Sequence, residues 1–292
     1  MDIRAILMGV AFSLMWSSAF ATARIIVAAA PPLMALSLRF LISGLIAVVI
    51  ARSLGQSWRL TRPVLRSVVV FGLCQNALYL GLNFVAMQSI EASLASIIAS
   101  AMPLIVALLG WLWQGEKVGI WGLVGLLAGF AGVALIMAGR VSGGADPLAI
   151  GLCILGATAL AVATLTVRSV SSGGNLLMIV GLQMLVGSVT LGVIAAFTET
   201  VQVNPSLGLL LAFAYQLLIP GLAATLLWFT LVARVGAVKA STFHFLNPFF
   251  GLAIAAALLG EQIVPLDMLG VAIAAAGILA VQLSRARGPG GL

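Results

Sequence analysis

Ten continuous apolar runs, each about as long as a membrane-crossing helix, decide what this chain can fold into. A hydrocarbon core of about 30 Å is crossed by roughly twenty helical residues. In lipid, only helices and closed barrels satisfy every backbone polar group. A barrel requires segments of about ten residues that alternate apolar and polar side chains, and the runs here do not alternate. They fall at about 5–27, 32–50, 67–86, 92–113, 118–138, 148–167, 175–197, 206–230, 240–259 and 265–283. The prediction is an all-α integral membrane protein of ten transmembrane helices, with the lipid bilayer as its solvent. Charged residues make up 7% of the chain, against roughly 25% in soluble domains, so no soluble domain fits between the spans.

The charges orient the bundle. With a cytoplasmic N-terminus, the inner loops and tails carry Arg4, Arg52, Arg59, Arg62, Arg66, Lys117, Arg168, Arg234, Lys239, Arg285 and Arg287. The outer loops then carry Arg140 alone, with Arg24 and Arg39 at or near the outer ends of their helices. This is the positive-inside pattern, and it puts both termini in the cytoplasm. The net charge is +7, but the basic residues stand singly between apolar stretches, so no nucleic-acid partner is expected. Cys74 and Cys153 lie within apolar runs and predict no disulfide. Arg4 followed by an apolar stretch and Ala21-Thr22-Ala23 has the outline of a cleavable signal. Cleavage would leave nine spans and spoil an internal symmetry, so the first helix is expected to be retained.

That symmetry emerges when the sequence is offset by 145 residues, which aligns 92–140 with 237–285 without a gap. Pro103 falls on Pro248, Gly115-Glu116 on Gly260-Glu261, Gly125 on Gly270, Gly132 on Gly277 and Arg140 on Arg285, and Ala95-Ser96 meets Ala240-Ser241. Composition alone would produce matches at Ala, Leu or Val rather than at Pro, Glu and Arg. The repeat divides the chain into 1–140, 145–285 and a tail at 286–292. Each unit holds five spans, an odd number, so the second enters the membrane upside down. Inverted repeats are a signature of secondary transporters whose substrate site lies near the midplane.

The repeated Pro, the Gly-Glu after the fourth span and the spaced glycines of the fifth resemble the drug/metabolite transporter superfamily. Within it, the chain resembles EamA-type ten-helix exporters, and most closely the YddG-type exporters of aromatic amino acids. Trp16-Ser17-Ser18-Ala19-Phe20 is similar to that family's first-helix Trp-Gly-x-x-Phe, with Ser17 in place of Gly. Arg39 sits where the family often has an arginine. The resemblance implies an inner-membrane exporter of aromatic and amphipathic amino acids or related metabolites that works by alternating access.

Polar groups inside a membrane are costly and should face a cavity or another helix. Gln75, Asn76, Tyr79 and Asn83 share one face of the third span, which reads either as a pocket wall or as interhelical hydrogen bonding. Trp16, Tyr79 and Tyr215 lie well inside the membrane. Trp58, Trp111, Trp113, Trp121 and Trp228 map to the cytoplasmic interface and predict an aromatic belt. Ser96 and Ser100 lie beside Pro103, and Ser241, His244 and Asn247 lie near Pro248. Pro103, Pro220 and Pro248 can kink their helices and act as gates, or form static bends. His244 reads as a proton sensor or as a neutral hydrogen-bonding group. Arg39 reads as a ligand for a substrate carboxylate, or as a snorkelling cation paired with Glu91 or Glu261. Gly122, Gly125, Gly129, Gly132, Gly270, Ala274 and Gly277 suit close helix contacts, as scaffold or as a dimer face. The substrate-binding set is therefore Trp16, Arg39, Gln75, Asn76, Tyr79, Asn83, Ser96, Tyr215, Ser241, His244 and Asn247.

No acidic residue lies mid-span, which favours facilitated transport over proton-coupled export of organic cations. Metal, phosphate-loop and nucleophile-elbow motifs are missing, so neither an enzyme nor a cofactor is expected. A channel is the alternative of another class. The expected partner is a small-molecule substrate, and a monomer is sufficient for its transport whatever the oligomeric state.

Overall fold

The computed structural model describes residues 2–115, 119–167, 174–236, 240 and 242–287. Among these, ten helices are long and apolar enough to span a membrane. They are Ile3–Val27, Pro32–Ser53, Arg62–Ala86, Ala92–Trp113, Ile120–Ser142, Pro147–Leu165, Leu176–Thr198, Leu207–Val232, Thr242–Leu259 and Pro265–Ser284, here called the first to the tenth span. The protein is all-α and multi-pass, as the apolar runs predict. The largest offset is at the third span. It begins at Arg62 because Pro63 fits the first helical turn, where its missing N–H costs nothing.

The second span illustrates how lipid sorts the side chains. Leu38, Leu41, Leu45 and Val49 are all exposed and form one stripe, while Arg39, Phe40, Ser43, Gly44 and Ala47 are buried. The polar residues point inward because the surrounding hydrocarbon offers them no hydrogen bonds.

Two pairs of spans depart from regular helix, and they do so at equivalent places. The third span widens to π-helix over Gly72–Leu80, and the eighth does so over Ile219–Ala223. The fourth span breaks at Ala101 and restarts with Pro103 in its first turn. The ninth runs as 3₁₀-helix over Thr242–Leu246, then as α-helix over Asn247–Leu259 with Pro248 in its first turn. The fourth and ninth spans both end on a left-handed glycine, Gly115 with φ 63° and Gly260 with φ 68°. A side chain there would be strained.

Packing follows the same exchange. The fifth span lies against the tenth, and the second against the seventh. The first packs on the eighth and ninth, while the sixth packs on the third and fourth. Adding five to each span number, or subtracting it, maps this pattern onto itself. Small residues set the closest approaches. A Cβ on Gly132 would stand 2.6 Å from the backbone of Gly270 and Ala274, and one on Gly125 would stand 2.9 Å from the Gly277 carbonyl. The glycine stripe thus joins the two halves within one chain.

Candidate functional site

A cavity lies where the first, second, third, seventh and eighth spans meet, with an empty volume of about 580 Å³ including its open mouth. Its aromatic wall is Trp16, Phe20, Phe40, Tyr79 and Phe84. Gln75, Asn76, Asn83, Gln216 and Thr225 supply neutral polar groups, Arg39 the one cation, and Met87 and Met184 flexible apolar surface. No lining residue is acidic. Its lining, mostly apolar and aromatic with a few polar groups, suits a small molecule with an apolar body and a few polar groups.

Arg39 is 5% exposed and has no acidic partner among the described residues. An unpaired ion in a protein interior costs on the order of several kcal/mol. Glu91 and Glu261 do not compensate it. Glu91 pairs with Arg140, and the Glu261 carboxylate accepts the backbone N–H groups of Ala92 (2.7 Å) and Ser93 (2.9 Å). Both acids lie just beyond the ends of their helices, and neither forms an ion pair with Arg39 among the described residues. Arg39 Nε instead donates to the Gln216 carbonyl at 3.2 Å, and the guanidinium lies 5.1 Å from the centre of the Phe40 ring.

The π turns shape the polar wall. In the third span, Asn76 Nδ2 donates to the Gln183 carbonyl at 2.8 Å, tying this wall to the seventh span. Asn83 Nδ2 donates to the Tyr79 carbonyl at 2.7 Å, leaving Asn83 Oδ1 buried and unpartnered. Gln216 does the same from the eighth span: its Nε2 donates to the Ala19 carbonyl (2.5 Å) and Thr22 Oγ1 (3.0 Å), and its Oε1 is unpartnered.

Of the predicted substrate residues, Trp16, Arg39, Gln75, Asn76, Tyr79 and Asn83 line this cavity, as does Pro220. Four others lie elsewhere. Tyr215 shares a 2.7 Å hydrogen bond with Ser18 and clamps the eighth span to the first. Ser96 is buried against Gly251, at the crossing of the fourth and ninth spans. His244, on the 3₁₀ turn, and Asn247, the first residue of the α-helix that follows, bond to each other at 3.0 Å. His244 also stacks edge-on against Phe12 and packs near Trp228. The reason in each case is helical phase, which turns these side chains toward neighbouring helices. Ser241 lies outside the described residues. Trp228 is partly buried, with its ring 4.7 Å from that of Phe12, whereas Trp58, Trp111, Trp113 and Trp121 are exposed. The sequence pattern does not single out Gln216, Phe40, Phe84, Met87, Met184 or Thr225, which line the cavity as well. The signal for Gln216 was a lone amide in an apolar run four residues before a proline. Nothing local distinguished Phe40 or Met184 from core residues.

At one end of the bundle, Arg140 bonds Asp267 at 2.6 Å and also contacts Glu91, while Arg24 donates to the carbonyls of Met87 and Gln88. Burial raises the Glu91 carboxyl above its usual range; Arg140 pulls it down, and Glu261 and Asp267 push it up. At the opposite end Asp2 caps the first span through the Ala5 N–H and meets Arg234, and these contacts lower its pKa to about 2.

The family comparison agrees with this architecture. The model of the EamA-like transporter family matches residues 3–138 and again 147–283. The uncharacterized transporter YvbV of Bacillus subtilis is 28% identical over 86% of this chain and 82% of its own. The uncharacterized inner membrane transporter YedA of Escherichia coli is 25% identical over 96% of this chain and 91% of its own. A solved crystal structure, 22% identical, shares the fold with a TM-score of 0.68 over 98% of this chain and 99% of that one. The chain therefore belongs to the EamA-like transporter family, whose ten-helix fold it adopts.

Proposed function

We propose that this membrane transporter exports aromatic and other amphipathic amino acids by facilitated alternating access. We further propose that it resides in the cell inner membrane with both termini in the cytoplasm. The observation that carries the reading is the cavity wall, which sets an uncompensated Arg39 among Trp16, Phe20, Phe40, Tyr79 and Phe84. Aromatic faces suit a flat apolar side chain, and the amides and the Tyr79 hydroxyl suit the polar backbone of an amino acid. A cationic wall without a carboxylate disfavours organic cations. The orientation rests on the eleven-to-one distribution of loop cations. In this reading the breaks at Pro103, Pro220 and Pro248 are the places where the spans bend between inward and outward states.

The test is uptake of labelled tryptophan into liposomes holding the purified protein, with and without a pH gradient. Saturable uptake that exchanges with internal tryptophan and ignores the gradient is expected. A pH-driven flux of an organic cation with no tryptophan uptake would overturn the reading, as would a steady single-channel current in a planar bilayer.

A further inference from the structure

The bond between Arg39 and Gln216 has a covalent origin. In a regular helix the Gln216 carbonyl would accept the N–H of the residue four positions on. That residue is Pro220, which has none. Arg39 Nε takes the carbonyl instead, at 3.2 Å. One turn further along the same face, Ser43 Oγ donates to the next carbonyl, that of Leu217, at 3.4 Å. Gly221 keeps the approach open, because a Cβ there would stand 3.0 Å from the Gln216 oxygen, 3.3 Å from Ser43 Oγ and 3.7 Å from Arg39 Nη2. The two terminal nitrogens of Arg39 are left without a hydrogen bond to any described residue.

We propose that Pro220 is a positioning residue for anion recognition: by withholding its N–H it offers the Gln216 carbonyl to Arg39, which fixes the guanidinium with both terminal nitrogens free for a substrate carboxylate. The inference rests on the reading of this cavity as the transport site. A planar monoanion is the matching chemistry, since two parallel N–H donors meet two carboxylate oxygens. A phosphate dianion would keep one uncompensated charge, because no second cation lines the cavity.

Calorimetric binding to the purified protein tests this with three indole probes. Tryptophan carries carboxylate and amine, indole-3-propionate only the carboxylate, and tryptamine only the amine. The wild type is expected to bind the two carboxylates at least about tenfold more tightly than tryptamine, the scale of one charge-assisted hydrogen bond. Pro220→Ala restores the helical N–H and removes the free acceptor; both carboxylates should weaken roughly tenfold while tryptamine is unchanged. Arg39→Lys is an independent route, since an ammonium keeps the charge but cannot hold carbonyl and carboxylate in a fixed fork. It too should narrow the discrimination.

Equal weakening of all three probes, or no weakening, in folded Pro220→Ala protein would overturn the positioning role. Tryptophan uptake by the wild type with discrimination unchanged in both variants sinks this inference and leaves the transport reading standing. Pro220-dependent binding of indole-3-propionate without any tryptophan uptake does the reverse.

Discussion

The third and eighth spans occupy equivalent places in the two halves and widen at the same point, since Ile219–Ala223 maps onto residues 74–78 within the Gly72–Leu80 turn. Yet each presents different chemistry at its turn. The third span has Gln75 and Asn76 there, and displays side-chain amides. The eighth has Pro220 and Gly221 at the matching positions, and displays backbone carbonyls. The second and seventh spans differ likewise: Arg39 brings a cation to the cavity from one and Met184 an apolar side chain from the other. The halves keep one scaffold while their cavity-facing residues have diverged. Symmetric packing carries the fold, and in the proposed reading asymmetric chemistry carries recognition.

Perturbing the shared scaffold should give the largest effect, and an equal one from either half. Gly132→Leu and Gly277→Leu each drive a side chain into the backbone of the opposing span, beyond the usual overpacking cost of about 1–3 kcal/mol. Both should lose most of the monodisperse peak on size exclusion; tolerance of either one breaks the symmetry argument. Next comes the charge. Arg39→Met should lower tryptophan uptake roughly tenfold to hundredfold, whereas Met184→Leu should change it less than about twofold. Adding Met184→Arg to Arg39→Met should not restore uptake, because Gln75 retains the N–H that Pro220 lacks. Recovery in that double variant would mean the two faces are interchangeable.

The two tyrosines sharpen the contrast on a smaller scale. Tyr79 lines the cavity and makes no side-chain hydrogen bond among the described residues, so Tyr79→Phe should raise the KM for uptake by about threefold to tenfold without lowering Tm. Tyr215→Phe loses the clamp to Ser18. Its Tm should fall by about 2–4 °C, with uptake unchanged. A transport defect in Tyr215→Phe at unchanged Tm would return it to the site.

The smallest expected effect contrasts the ends of the bundle through their titration. Asp2 is lowered from 3.8 to about 2 by Arg234 and the Ala5 N–H, so the stability it contributes is present above pH 3.8 and lost as pH falls toward 2. Glu91 is raised, so the folded state holds that proton more firmly than the unfolded chain does. Its contribution therefore weakens stability as pH rises from the ordinary carboxylate range through the raised value. Melting curves between pH 2 and 7 should change slope in opposite directions for Asp2→Asn and Glu91→Gln, by about 2 °C or less. Parallel changes would show that the two ends do not differ in this way.

Much of this was legible before folding, because a bilayer constrains sequence so strongly. Span lengths follow from hydrocarbon thickness. The breaks near residues 103 and 248 follow from proline chemistry, and the close seam of the fifth and tenth spans from spaced glycines. The polar stripe Gln75, Asn76, Tyr79 and Asn83 was visible as helical periodicity, although the π turn lies across it. In the ninth span polarity and periodicity do not identify cavity residues. His244 and Asn247 sit in a polar cluster beside a proline much as the cavity residues do, but the 3₁₀ turn aims them at Phe12 and at each other.

By itself, then, the sequence determined the number of spans, the duplicated scaffold and the presence of an arginine within the second span. Tertiary structure alone decided which polar residues share a cavity, because helical phase and neighbours from the other half select among equally polar candidates. It also decided the partner of Arg39. That carbonyl is 177 residues away in the chain, and its regular helical donor is missing because Pro220 has no N–H.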